Sequence, residues 1–317
     1  MDQQLLSSRA IMGMYFARME QSAGGAWLAG VSNLFGSDQE SETYNFLGQS
    51  PAMREWLGSR QAKGFSGNGI TIVNKHYEST IEVKKKDARR DKTGQLRARI
   101  EDFADRAQSH WASLSSSLIL AGATTVCYDG QYFYDTDHSE GNSGSQSNSI
   151  SVDISTLPAA VHGSVTAPSV EEMQQTILQA ITQIVSFKDD QGEPMNEGAR
   201  EFLVMVPASL YFVAVAACAS LTTAALQQNL NPNLIANLRV NVEMNVRLSA
   251  WTDKFVVFRT DSPIKALIRQ TEQEVELKAK AEGTDFEFDN DAWQFGIDGW
   301  RGAGYGYWQR SVLVTMT

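Results

Sequence analysis

The stretch QLRARIEDFADRAQSHWASLSSSLILA, residues 95–121, decides the architecture. Leu96, Ile100, Phe103, Ala107, Trp111 (or His110), Leu114 and Leu118 recur every three or four positions, which draws one apolar stripe along a helix. Thr93 is suited to cap its start and Gly122 to end it. A rise of 1.5 Å per residue gives a length of about 40 Å, long for a globular helix. Such a helix, with a single apolar face, serves as a spine laid against a sheet.

Candidate strands lie on both sides of it. Toward the C-terminus Trp293, Phe295 and Ile297 alternate with polar or small residues, as do Val312, Val314 and Met316. In WRGAGYGYW, residues 300–308, glycine occupies positions 302, 304 and 306, so one strand face is bare and the spine helix can approach it closely. Toward the N-terminus, residues 64–91 place Ile70, Ile72, Tyr77, Ile81 and Val83 among polar residues in the manner of extended strands. They carry too little apolar surface for a core of their own, which predicts a projecting two-stranded loop that needs a partner. That loop ends in the basic run Lys84-Lys85-Lys86-Asp87-Ala88-Arg89-Arg90-Asp91-Lys92.

Further out, Pro51 opens a short helix to Ser59 anchored by Trp56 and Leu57. Residues 1–50 read as an arm with one helix, packed on something other than itself. Its amphipathic stretch holds Leu5, Leu6, Ile11, Met12, Tyr15, Phe16 and Met19, and the acidic segment Asp38-Gln39-Glu40-Ser41-Glu42 follows. Residues 136–166, rich in Ser, Gly and Asn, read as a loop. Beyond them Ser169 caps a helix bearing Val170, Met173, Ile177, Ile181 and Ile184. A buried strand (Phe202–Val206), a small-residue helix (Ala208–Leu226), strands at 238–248 and 254–259 and a short helix from Pro263 complete an inserted α+β domain.

The bulk numbers set limits. With 317 residues, 42% of them hydrophobic, the chain can bury one large core or two modest ones. A formal charge of −10 argues against a dedicated nucleic-acid binder. No run of about 18 apolar residues is present to span a membrane, and the start Met1-Asp2-Gln3-Gln4 lacks the pattern of a signal peptide. Cys127 and Cys218 read as buried, reduced thiols. There is no Gly-x-Ser-x-Gly elbow, no P-loop and no dinucleotide fingerprint after a strand, so no catalytic or cofactor-binding residue is assigned. Tyr134-Asp135-Thr136-Asp137-His138 is the one cluster that invites metal chemistry. No second cluster completes a ligand set, and Asp and His are common turn formers, so the structural reading is preferred. A metal-dependent hydrolase using Asp135, Asp137 and His138 stays as the alternative from another class.

Three blocks carry a resemblance. They are Glu42-Thr43-Tyr44-Asn45-Phe46-Leu47-Gly48 with Pro51 and Arg54-Glu55-Trp56-Leu57-Gly58; then Cys127-Tyr128-Asp129-Gly130-Gln131-Tyr132-Phe133-Tyr134-Asp135-Thr136-Asp137-His138; and Gly304-Tyr305-Gly306-Tyr307-Trp308-Gln309. Collinear over residues 42–309, they resemble the head-subunit T family of Mu-like phages, departing from it where Ser139 replaces the family's proline. The resemblance implies an α+β capsid fold of the HK-ninety-seven type. Its parts would be an N-terminal arm (1–50), a peripheral domain (51–61 and 93–159) with spine helix 95–121, an extended loop (62–92), an axial domain (160–285) and peripheral return strands (286–317). The implied role is that of a tailed-phage major capsid protein, which assembles as hexamers and pentamers into an icosahedral head around double-stranded DNA. It would need no enzyme activity, cofactor, metal or membrane. It would be built in the host cytoplasm into the virion, with portal, separate scaffolding and decoration proteins as further partners. An encapsulin-type compartment shell is the alternative within the same fold. From the charges themselves comes one interface expectation: Lys84, Lys85, Lys86, Arg89, Arg90 and Lys92 of one subunit dock on Glu272, Glu274 and Glu276 of its neighbour.

Overall fold

The computed structural model describes residues 7–21, 25–44, 69–90, 94–227 (side chains through 219) and 238–317. In chain order the helices are α1 (Ser8–Gln21), α2 (Leu28–Val31), α3 (Lys85–Arg90), α4 (Gln95–Ala121), α5 (Val170–Ser186), α6 (Tyr211–Gln227) and α7 (Asp285–Asn290). The strands are β1 (Ser32–Gly36), β2 (Ser41–Tyr44), β3 (Ile70–Val73), β4 (Lys75–Lys84), β5 (Ser149–Val152), β6 (Glu201–Val206), β7 (Arg239–Met244), β8 (Lys254–Arg259), β9 (Leu267–Lys280), β10 (Ala292–Tyr305) and β11 (Ser311–Met316).

The spine helix forms as α4 over all 27 predicted residues. Gly94, at φ 72°, takes the N-cap position, and Thr93 lies outside the described residues. The buried stripe starts as expected at Ile100, Phe103, Ala107 and Trp111, then passes through Ser115, Ser116 and Ile119, leaving Leu114 and Leu118 half-buried. The small serines admit a polar neighbour, since the Asn245 Nδ2 donates to Ser116 Oγ at 2.9 Å.

One face of α4 lies on a four-stranded sheet of order β1-β9-β10-β4. Two expectations change here. The described strands of the expected loop 62–92 do not pair with one another: β3 pairs with β2, and β4 runs antiparallel along β10 from Lys75↔Arg301 to Lys84↔Ala292. The reason is apolar: Ile81 and Val83 find Trp293, Phe295 and Ile297 as sheet neighbours in one core. The arm, too, packs on its own chain. Ile11 and Tyr15 of α1 join Ile100 and Phe103 of α4, Arg18 grips Asp105 through two 2.7 Å hydrogen bonds, and β1 adds to the sheet parallel to β9. The short helix expected over 51–59 lies outside the described residues.

The bare glycine face is filled, but not by the spine. A Cβ at Gly302 would lie 2.8 Å from Ile72 Cγ2, and one at Gly304 2.6 Å from Ile72 Cδ1, so β3 is what approaches. Because successive side chains point to opposite faces of a strand, α4 meets the odd-numbered residues instead. The Arg301 guanidinium lies over the Trp111 ring at 4.7 Å, and the Tyr305 hydroxyl donates to the Leu118 carbonyl at 2.8 Å.

A second sheet has the order β5-β11-β8-β6-β7 and the larger core, with Phe202, Val204, Phe255, Val257, Val312 and Val314 all fully buried. Helix α5 covers it, started by the predicted Ser169, which forms a reciprocal capping box with Glu172. The expected domain limits shift. Strand β11 belongs to this sheet and not with β10, β5 arises inside the stretch read as loop, and β9 occupies 267–280 in the other sheet, with no helix from Pro263. In β9 the inward positions Thr271 and Gln273 are polar, which hides the alternation from a hydropathy reading. No helix among the described residues is long and apolar enough to cross a membrane.

Candidate functional site

The second and third sequence blocks, far apart in the chain, meet in one buried knot. A turn at Gly130, with φ 88°, brings Cys127 and Asp129 to face His138, and its backbone closes from Gly130 N to the Cys127 carbonyl at 3.2 Å. His138 is fully buried, with Nδ1 2.6 Å from Asp129 Oδ2 and Nε2 3.2 Å from Asn148 Oδ1. The Asn148 amide is oriented by its own donation to the Phe133 carbonyl at 2.7 Å and by the Asp135 amide, which donates to Oδ1 at 2.9 Å. Both imidazole nitrogens therefore face oxygen atoms of fixed neighbours. The ring stacks on Trp308 at 4.0 Å and 10°. Beside it, Tyr128 donates to Glu140, and Gln309 Nε2 donates to the Tyr128 hydroxyl at 3.0 Å.

Cys127, Asp129 and His138 offer ligand atoms within 4.8 Å of one another. Their chemistry is already taken up. Cys127 Sγ donates to Asp129 Oδ1 at 2.9 Å, and burial, with the Asp129 charge added, pushes this thiol far up, so it stays protonated. Burial would raise Asp129 as well, but the hydrogen bonds from His138 and Cys127 outweigh it and hold the carboxyl below its usual value. A carboxylate between thiol and imidazole also denies His138 the role of base toward sulfur. Asp135 and Asp137 do not join His138: Asp135 accepts from the backbone of Tyr132 and Thr136, and Asp137 is exposed. Cys127 and Cys218 are both free, Cys127 buried and Cys218 half-buried.

The described charged residues expected at an interface lie on the four-stranded sheet and on α3 at its end. Lys85 is satisfied within the chain, 2.8 Å from Glu287 and 3.7 Å from Asp291, because α3 follows β4 to the end of the sheet where α7 links β9 to β10. Lys84, Lys86, Arg89 and Arg90 are exposed, and Lys92 lies outside the described residues. Glu272, Glu274 and Glu276 share one exposed face of β9, where Glu274 accepts from Arg301 Nη2 at 3.3 Å. Among the described residues of the basic run, the structure thus brings Lys85 to acidic residues of its own chain. Sequence reading missed Arg301 and the Asp129–His138 pair; the Asp-Gly turn at 129–130 was the available sign of the latter.

The Lys85 contact, with donations from the Gly283 amide and the Trp293 indole, lowers Glu287 to about 2. A carboxyl so depressed stabilises the fold above its unfolded pKa of about 4.3, and that contribution fades as pH falls toward 2. The gap in thermal midpoint between wild type and Glu287→Gln should be full at pH 7 and shrink between about pH 4 and pH 2. A gap independent of pH would contradict the pairing.

With a spine helix on one sheet and a second sheet bearing the larger core, the chain has the fold of phage capsid subunits. A chain of the bacteriophage JBD30 procapsid, 21% identical, superposes with a TM-score of 0.54 over 97% of this chain and 74% of its own. The chain belongs to the Mu-like prophage major head subunit gpT family, whose pattern matches residues 9–158 and 236–316 and so takes in the four-stranded sheet, the knot and every strand of the second sheet but β6. It is 35% identical over 122 residues to the Mu-like prophage FluMu major head subunit of Haemophilus influenzae, covering 38% of this chain and 40% of that one. To the major capsid protein of Escherichia phage Mu it is 31% identical over 108 residues, 34% of this chain and 35% of the other. The likeness thus spans less than half the length of either relative.

Proposed function

We propose that this chain is the major capsid subunit of a Mu-like tailed phage. Its work is assembly and not catalysis: copies close as hexamers and pentamers into an icosahedral head around double-stranded DNA. The family match across residues 9–158 and 236–316 carries the reading. The four-stranded sheet with its spine is the peripheral part, and the five-stranded sheet with α5 and α6 is the axial part that gathers around the capsomer axis. Rings of identical subunits need heterologous contacts, and permanent ones typically bury more than about 2,000 Å². Portal, scaffolding and decoration proteins are further partners, and assembly takes place in the host cytoplasm. Sedimentation of the expressed chain tests the reading: it predicts particles far heavier than a single subunit, and a monomer at every concentration would count against it.

The exposed charges have a part in that assembly. Lys84, Lys86, Arg89 and Arg90, freed of the Lys85 pair, dock on the Glu272–Glu276 face of a neighbouring copy. Each exposed pair contributes only about 0–1 kcal/mol, yet repetition over a shell sets register and partner choice. Lys84→Glu with Lys86→Glu and Arg90→Glu should keep the fold and lower particle yield, and Glu272→Lys with Glu276→Lys should restore part of it. Normal yield from the triple variant would show the run to be a solvated edge.

A further inference from the structure

No further inference is drawn: the strongest candidate, the exposed and uncharged face of α6 that carries Phe212, Val215 and Ala216, is an apolar surface patch with nothing in the structure to show what covers it.

Discussion

Gly304→Val is expected to yield little soluble protein and no particles. The first added atom would stand 2.6 Å from Ile72 Cδ1 and 2.8 Å from Cγ1, against a β3 already held by its pairing with β2. Overpacking of this kind costs about 1–3 kcal/mol, and it falls where β3 seals the Gly-rich strand. Ile72→Ala in the same chain removes the obstructing atoms and should recover part of the soluble yield. Gly306→Ala provides the contrast. Its Cβ would meet the Lys265 backbone carbonyl at 2.6 Å, so trimming Ile72 will not relieve it. Soluble yield and sedimentation of Gly304→Val and Gly306→Ala, each with and without Ile72→Ala, check this, and full recovery of Gly306→Ala by Ile72→Ala would refute the geometry.

The second large effect is expected of His138→Ala. Removing the imidazole takes from Asp129 one of its hydrogen-bond partners, leaving Cys127 Sγ and the Gln131 amide, strips Trp308 of its stacked neighbour and empties a fully buried volume. Emptying a fully buried ring site costs about 3–5 kcal/mol, which corresponds to a fall of roughly 10 °C in thermal midpoint for a chain of this size. Asp129→Asn in the His138→Ala background should cost less than the sum of the single changes, since both remove the same hydrogen bond. Asp137→Asn, at an exposed position, should stay within about 0.5 kcal/mol of wild type. Equal effects of His138→Ala and Asp137→Asn would dissolve the knot as an organising feature.

What could be read from residues alone follows from where the pattern is periodic and apolar. Helix α4 was legible along its whole length because seven apolar positions keep helical spacing over residues 96–118. The strand at 292–297 and the cap at Ser169 were legible for similar local reasons. Strand β9 was not, because Thr271 and Gln273 stand at half-buried positions where a hydropathy reading looks for Val or Ile. The partners of strands were hidden as well. That Ile72 fills the glycine face, and that β4 prefers Trp293, Phe295 and Ile297 to its own loop, are long-range choices made by packing. The site divides in the same way. The two blocks at 127–138 and 304–309 were visible, but Asp129 rather than Asp135 or Asp137 proved to hold His138, and Trp308 became its neighbour only across the fold. The basic run was visible too, and only the α7 contact reveals that Lys85 is spent within the chain.

Electron cryomicroscopy of particles from the expressed full chain tests the central claim most directly. The account predicts closed shells or tubes built of six- and five-fold capsomers, with the five-stranded domain nearest each axis and the spine helix in the outer ring of each capsomer. Preparations that hold only discrete monomers, or particles in which the four-stranded sheet surrounds the axis, would contradict it.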